Sequence, residues 1–198
     1  ASFELERQDE LTARVELRAL QSQVDPHFLF NSLNTLISEI RYNPANAELF
    51  TQHLSDVYRY TLQCQNQRLT TLREELDFLN SYVFLHRVRL GDCIYIDNRI
   101  PESCLEYQLP PLTIQLLAEN VIKHNVIHMG KPMTIELVYM EMEKELVVRN
   151  QIQAKKSATA FGTGLKNLSA RYKLLCSRDI VIENDSQEFT VKIPLLYE

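Results

Sequence analysis

The chain has 198 residues, of which 45% are hydrophobic and 24% are charged, with only 4 Gly and 7 Pro. This composition is too apolar for an intrinsically disordered protein, and the length suffices for one large domain or two small ones. The net charge of -5 at pH 7 argues against a general nucleic-acid-binding protein, which would carry a surplus of basic residues.

The 4 cysteines form no Cys-x-x-Cys pair, which indicates reduced, structural thiols of a cytosolic protein. No apolar run reaches the roughly 18 residues that a membrane span needs, and no signal peptide opens the chain. The sequence begins inside a helical pattern. We therefore expect a cytoplasmic fragment of a longer protein.

Two amphipathic helices are predicted at the start of the chain. No glycine occurs over 5–40, where apolar residues recur at helical spacing, and Pro26 predicts a kink within that helix. Asn43-Pro44 breaks it, and a second helix follows. The residues on the apolar face of the second helix are Phe50, Leu54, Val57, Tyr58 and Leu62. Such a hairpin leaves its apolar stripe half covered, so we expect two hairpins to close a four-helix bundle in a homodimer.

The remainder of the chain predicts mixed helices and strands. Thr71 and Glu74 form a capping box that opens a third helix, which Gly91 ends. Strands are expected over 93–100, over 133–150 as a pair, and in the segments IVIEN and EFTVKIPL; helices are expected over 111–124 and 164–177. A helical hairpin followed by such a mixed region predicts an α+β protein, with a division into residues 1–66 and 67–198.

His27 stands out because it directly follows Pro26 and precedes Asn31 by one helical turn. A neutral imidazole nitrogen is a capable nucleophile near neutral pH, since its ordinary pKa is about 6.5. Asn31 shares the helix face of His27 and could bond the other ring nitrogen, which would fix its tautomer. On these residues alone, a packed histidine of a helical bundle is the more common explanation.

The string around His27 resembles the phosphoacceptor box of LytS-like sensor histidine kinases, usually written L-x-x-Q-[IL]-x-P-H-F-L-F-N-x-L-N. The matching residues are Leu20, Gln23, Pro26, His27, Phe28, Leu29, Phe30, Asn31, Leu33 and Asn34. The resemblance implies that His27 accepts a phosphoryl group. Many other histidine kinases carry an acid directly after the histidine as general base; Phe28 stands there in this chain, so a base must come from elsewhere. Asp25 is expected to point away from His27 and is given no catalytic role.

A second polar group, Glu119, Asn120, Lys123 and His124, lies toward the end of the helix predicted over 111–124. Asn120 and Lys123 share a face, where an amide oxygen suits Mg²⁺ and a lysine suits phosphate oxygens. A surface helix with scattered polar groups would explain the same residues. The segment also resembles the N-box of the GHKL ATP-binding fold, in which Asn120 would hold Mg²⁺, and Lys123 and His124 would belong to the ATP pocket. Glu119, the nearest acid, is a candidate general base.

Gly162 and Gly164 directly precede a predicted helix, where backbone N–H groups and the helix N-terminus can bind an anion. A Gly-x-Gly pair alone is more often only a tight turn. Together with Leu165 and Asn167, however, the segment resembles the G-x-G-L-x-N motif of the same family, which follows an ATP lid and contributes to the nucleotide site.

One position departs from the family pattern. Kinases of the GHKL superfamily carry Asp-x-Gly after the second strand of the central hairpin, where the Asp accepts the adenine amino group. This chain has Asn150, Gln151 and Ile152 there instead. Asn150 can still accept one hydrogen bond through its amide oxygen, but without charge, so we expect ATP to bind weakly.

The resemblance spans residues 17 to about 196 and implies the cytoplasmic catalytic core of a two-component sensor histidine kinase. Residues 1–66 would be the dimerising phosphoacceptor hairpin, and residues 67–198 a GHKL-type α/β-sandwich that binds ATP and Mg²⁺. After autophosphorylation of His27, a response regulator aspartate, of a LytTR-type regulator by the same resemblance, would take the phosphoryl group. No direct nucleic-acid contact is expected, and a sensor region outside this chain would lie in the inner membrane.

Two alternatives stay open. The first is a degenerate kinase that dimerises and docks a regulator without turnover, which the departure at Asn150 favours. The second is a different GHKL protein, such as an ATPase or an anti-sigma kinase that acts on a protein serine. The Pro26-His27 hairpin argues against the second, because such proteins do not need it.

Overall fold

The computed structural model of the chain describes residues 3–4, 7–8, 11, 25–156 and 162–197. Most of the first half of the helix predicted over 5–40 lies outside these residues. Leu20 and Gln23 of the predicted phosphoacceptor box lie outside them as well.

A helical hairpin opens the continuously described part: α1 (Pro26–Tyr42) is followed by α2 (Pro44–Cys64). The predicted kink at Pro26 is wrong, because α1 begins there. Asp25 has a non-helical backbone (φ -49, ψ 131), and its carboxylate accepts the backbone N–H of His27. An aspartate cap followed by proline at the first helical position is a strong helix start. Asn43 ends α1 and caps α2.

The apolar face of α2 follows the prediction except at its end. Phe50, Leu54 and Val57 are buried, whereas Leu62 is 62% exposed. The buried stripe continues instead through Thr61 and Cys64, four and seven residues after Val57. Leu62 lies about 100° around the helix from Thr61 and therefore leaves the stripe.

Helix α3 (Leu72–Leu90) begins at the predicted capping box. The Thr71 hydroxyl accepts the N–H of Glu74 at 3.2 Å, and the Glu74 carboxylate accepts the N–H of Thr71 at 3.4 Å. Gly91, at φ 91, ends the helix as predicted. α3 packs against α2 on one side and against α4 (Thr113–His124) on another, so most of its circumference is buried.

Within the described residues from Ile94 onward, five strands form one mixed sheet: β2 (Ile94–Asn98), β4 (Met133–Met140), β5 (Glu145–Gln151), β6 (Val181–Asn184) and β7 (Glu188–Pro194). Their order in the sheet is β2-β4-β5-β7-β6. β2 runs parallel to β4, and the other neighbours are antiparallel. A short pair, β1 (Thr70–Thr71) with β3 (Gln108–Leu109), was not predicted, because two residues show no periodicity.

Helices α4 and α5 (Thr163–Leu175) share one apolar core with the sheet. In β4, Met133, Ile135 and Leu137 alternate with more exposed residues, so one face of the strand points into that core. The α+β class and the order of hairpin, helices and sheet are thereby confirmed. The core runs without a break from Phe50 to Leu195, so the division at residue 66 stays a prediction.

Candidate functional site

His27 lies in the first turn of α1 with its side chain exposed. The Asp25 carboxylate accepts its backbone N–H at 2.9 Å, so the expectation that Asp25 points away from His27 is wrong. Asn31 is also exposed, and among the described residues no hydrogen bond joins it to the His27 ring. The predicted bond between them is therefore absent, and the imidazole is open to a reactant.

Phe28 fixes the turn that carries His27. Its ring packs against two rings of α3, with centroids 5.3 Å from Tyr82 and 5.4 Å from His86. Tyr82 and His86 in turn contact each other edge to face at 4.6 Å. The residue directly after His27 is thus anchored in an aromatic cluster, which we call the Phe28 cluster (Phe28, Tyr82 and His86), and His27 stays at the surface.

His86 is a packed residue, as its place in the apolar stripe of α3 suggests. Burial, with a smaller contribution from the charge of Arg89, lowers the pKa of His86 to about 3. Its Nδ1 lies 3.4 Å from the Arg89 guanidinium, and its Nε2 is buried without a hydrogen-bond partner among the described residues. His86 is therefore neutral at physiological pH and contributes a ring rather than a charge.

Helix α4 reaches the same cluster through Gln115. The Gln115 side chain lies beside the Tyr82 hydroxyl and tends to lower its pKa, and its Nε2 donates to the Glu119 carboxylate at 2.9 Å. Burial raises the pKa of Tyr82, and the charges of Glu119 and Asp25 raise it further. The candidate base Glu119 is thus held by Gln115, whose neighbour Tyr82 packs against Phe28, the residue directly after His27.

A positive group lies at the end of α4. Asn120 and His124 are half-buried, and Lys123 is exposed. Burial lowers the pKa of His124, and the charges of Lys123 and Lys155 lower it further. Lys155 follows β5, so lysines from two elements meet beside one imidazole and would attract a polyphosphate.

The N-terminus of α5 closes on Asn120. A Cβ on Gly164 would lie 3.0 Å from a Leu116 methyl and 3.9 Å from the Asn120 side-chain oxygen, so only glycine permits this approach without displacement. A Cβ on Gly162 would meet open space, so the structure gives no steric reason for glycine there. Leu165 is buried, and Asn167 is half-buried in the first turns of α5.

Asn150 lies near the end of β5 and is only 4% exposed. Its Nδ2 donates to the backbone oxygen of Gln151 at 2.9 Å, which leaves Oδ1 as the acceptor. That orientation is the one an adenine amino group requires, because two donors would otherwise face each other.

Asn125, which the sequence analysis missed, ties α4 to the segment after β5. Its Nδ2 donates to the Val121 carbonyl at 2.8 Å, and its Oδ1 accepts the N–H of Gln153 at 2.8 Å. An asparagine after a helix is ordinary in sequence, so nothing marked its long-range bond. The link holds the segment after β5, which carries Lys155, against the end of α4.

These residues fit a magnesium nucleotide. The Asn120 oxygen is a hard ligand of the kind that Mg²⁺ takes, the two lysines match phosphates, and the N-terminus of α5 favours an anion. Asn150 adds a buried acceptor for a base. The arrangement therefore connects the candidate nucleotide site to an exposed histidine through Gln115 and the Phe28 cluster.

Comparison with known proteins also indicates a histidine kinase. The protein family described as Histidine kinase matches residues 15–94. The chain is 36% identical over 143 residues to the sensor protein LytS of Staphylococcus haemolyticus, which covers 72% of this chain and 24% of that protein. It is 35% identical over 119 residues to the sensor histidine kinase BtsS of Escherichia coli, covering 60% and 21%.

A more extensive match is the sensor histidine kinase/phosphatase LytS of Staphylococcus aureus, 28% identical over 199 residues, with 92% of this chain and 34% of that protein covered. The chain thus spans between about a fifth and a third of these relatives. Among solved structures, the Acinetobacter baumannii histidine kinase AdeS matches with a TM-score of 0.42 and 15% identity over 94% of this chain and 97% of that chain. No helix within the described ranges has the length and apolar character of a membrane span.

Proposed function

Given that this chain belongs to the LytS-like sensor histidine kinases, we propose that it is a catalytic core that phosphorylates its own His27 from ATP. The observation that carries the proposal is the connection from His27 to α4. Phe28 packs on Tyr82, Gln115 lies beside Tyr82 and donates to Glu119, and the next residue, Asn120, would belong to the nucleotide site.

The roles of the cleft residues follow from their chemistry. Asn120 would hold Mg²⁺, Lys123 would contact phosphate oxygens beside His124, and Asn150 would accept from the adenine amino group. ATP, when bound, supplies the γ-phosphoryl group. The site residues at the start of α5 (Gly162, Gly164, Leu165 and Asn167) would hold the phosphates through backbone N–H groups.

His27 would act as the nucleophile through the lone pair of a neutral ring nitrogen, forming a P–N bond while the bond to ADP breaks. The imidazole then carries an extra proton on its other nitrogen, and Glu119 would accept it. Phe28 and the Asp25 cap hold the backbone of this turn, so the ring is positioned without a bond from Asn31.

The hairpin supports a dimeric assembly. Along α1, apolar residues recur at spacings of three and four and stay exposed: Phe30, Leu33, Ile37 and Ile40 are 63%, 41%, 57% and 58% exposed. A stripe of this kind is covered when two hairpins form a four-helix bundle. We propose a homodimer through residues 1–66, with a response regulator, of LytTR type by family resemblance, as the acceptor of the phosphoryl group.

The chain's membership of this family also supports a proposal for its location in the cell. We propose that it is the cytoplasmic part of an inner-membrane sensor, since the relatives that it matches are named as sensor proteins and are much longer than this chain.

The test is incubation of the chain with radiolabelled ATP and Mg²⁺. The label should be lost in acid and kept in alkali, as a phosphoramidate is. His27→Gln should abolish it, and His128→Gln, a change at another exposed histidine, should leave it unchanged. An acid-stable label would favour the serine kinase. Nucleotide binding without any label would favour a regulator-docking module, the alternative that Asn150 supports.

A further inference from the structure

A buried carboxylate sets the start of α4. Glu75, on α3, has 0% exposure. Its two oxygens accept the backbone N–H groups of Leu112 and Ile114, each at 3.2 Å. Leu112 has a left-handed backbone with φ 63, a conformation that a non-glycine residue keeps only when its surroundings hold it. Glu75 therefore fixes the first turn of the helix that carries Asn120.

The hairpin contributes the third bond to this carboxylate. Tyr60, on α2, donates its hydroxyl to Glu75 at 2.5 Å and lies 3.2 Å from the Thr70 hydroxyl. The Tyr60 ring packs on Phe78 with centroids 4.8 Å apart. A hydroxyl that donates to a carboxylate makes a short, charge-assisted bond. Tyr60 is thus a direct polar link from the hairpin to the start of α4.

Helix α5 reaches the same place through Arg171, which is 2% exposed. Its guanidinium donates to the Pro111 carbonyl, directly before Leu112. Burial raises the pKa of Glu75, and the bonds from Tyr60, Ile114 and Leu112, with the Arg171 charge, oppose that rise. One polar cluster, the Glu75 node (the half-buried Tyr60 with the buried Glu75 and Arg171), therefore joins α2, α3, α4 and α5.

Buried charged groups are a poor way to gain stability, because apolar residues of similar volume often serve as well or better. Their hydrogen bonds do fix geometry, and here they fix it where the hairpin meets both helices of the nucleotide cleft. We propose that Tyr60 is a positioning residue for the nucleotide site: acting through Glu75, it couples the position of α2 to the start of α4. This inference rests on the proposed nucleotide-binding function of that cleft.

A shift of α2 that withdrew the Tyr60 hydroxyl would remove one hydrogen bond from the Glu75 carboxylate. The carboxylate would then hold the backbone N–H of Leu112 less firmly. Asn120 lies two turns further along α4, so a change in the first turn moves the proposed Mg²⁺ ligand. The hairpin could in this way raise or lower nucleotide affinity without touching the nucleotide.

The experiment uses Tyr60→Phe in the whole chain, which keeps the ring on Phe78 and removes only the hydroxyl. Tyr58→Phe is the matched control, because Tyr58 lies on the same helix and its hydroxyl has no hydrogen-bond partner among the described residues. Amide hydrogen exchange is measured without nucleotide over residues 109–118 and over the sheet, and Mg²⁺-ADP binding is measured by calorimetry.

For Tyr60→Phe we expect about tenfold faster exchange in residues 109–118, unchanged exchange in β5 and β7, and several-fold weaker ADP binding. Tyr58→Phe should change neither. Unchanged exchange over 109–118, or an equal increase throughout the chain, would overturn the proposal. So would faster exchange with unaltered ADP affinity. If the wild type binds no nucleotide at all, the nucleotide function fails, while exchange still decides whether Tyr60 holds the start of α4.

Discussion

The first turn of α1 and the Glu75 node differ in how their polar groups are satisfied. His27 is exposed, and its ring makes no hydrogen bond among the described residues; Glu75 is fully buried and accepts three. A reactive group must be free to meet its reactant, whereas a group that positions others works only when its partners are fixed. The first turn of α1 is therefore suited to the chemical step, and the Glu75 node is suited to positioning other groups.

The largest effect is expected at Glu75. Glu75→Ala leaves the N–H groups of Leu112 and Ile114 without acceptors and Arg171 buried without the opposing charge. We expect a loss of about 3–5 kcal/mol in the free energy of unfolding, measured in urea. Asp77→Ala, at an exposed position of the same helix, is the control and should change it by less than about 0.5 kcal/mol. If the two substitutions lowered the free energy of unfolding equally, Glu75 would behave like an exposed residue, and the positioning role of the Glu75 node would be contradicted.

On the reactive side, Glu119→Gln keeps an oxygen that can accept from Gln115 but removes the proton acceptor. Autophosphorylation should slow about a hundredfold, and Mg²⁺-ADP affinity should stay within about twofold. The check is single-turnover labelling alongside calorimetry. An unaltered rate would show that the base lies elsewhere.

His86 belongs to the Phe28 cluster and is buried, and its Nε2 has no hydrogen-bond partner among the described residues. Its pKa is lowered to about 3 in the folded chain, so below about pH 6.5 the unfolded state binds the additional proton. Stability should therefore fall as the pH falls through this range, by about 2 kcal/mol between about pH 8 and pH 5 from this residue.

In His86→Leu that part of the decline should vanish, which urea unfolding at several pH values measures against the wild type. An identical pH dependence in both proteins would mean that His86 is already protonated in the fold or is not buried in solution.

Much of this architecture could be predicted from local patterns, because caps and periodicity act over a few residues. The capping box of Thr71 and Glu74 is an example. At Pro26 the same rules were available, but the long helical pattern on both sides outweighed the signal of Asp25 followed by proline. The Glu75 node was not predicted, because its carboxylate meets Leu112 37 residues away, a separation that leaves no local trace.

The smallest expected effect concerns Asn150. A charged acceptor would by itself strengthen the bond to an adenine amino group. In Asn150→Asp, however, the bond from Nδ2 to the Gln151 carbonyl is lost, and two oxygens face each other in a buried place. We expect Mg²⁺-ADP binding to weaken about fivefold. Tighter binding in calorimetry would show that the chain departs from the family pattern at a cost in affinity.

The central claim is that His27 is the phosphoryl acceptor, and mapping the modified residue tests it most directly. The chain is incubated with Mg²⁺-ATP, digested under alkaline conditions that preserve a P–N bond, and analysed by fragmentation mass spectrometry. The account predicts a phosphoryl group on His27 and on no other histidine. A phosphoryl group on a serine, or on another histidine with His27 unmodified, would contradict it.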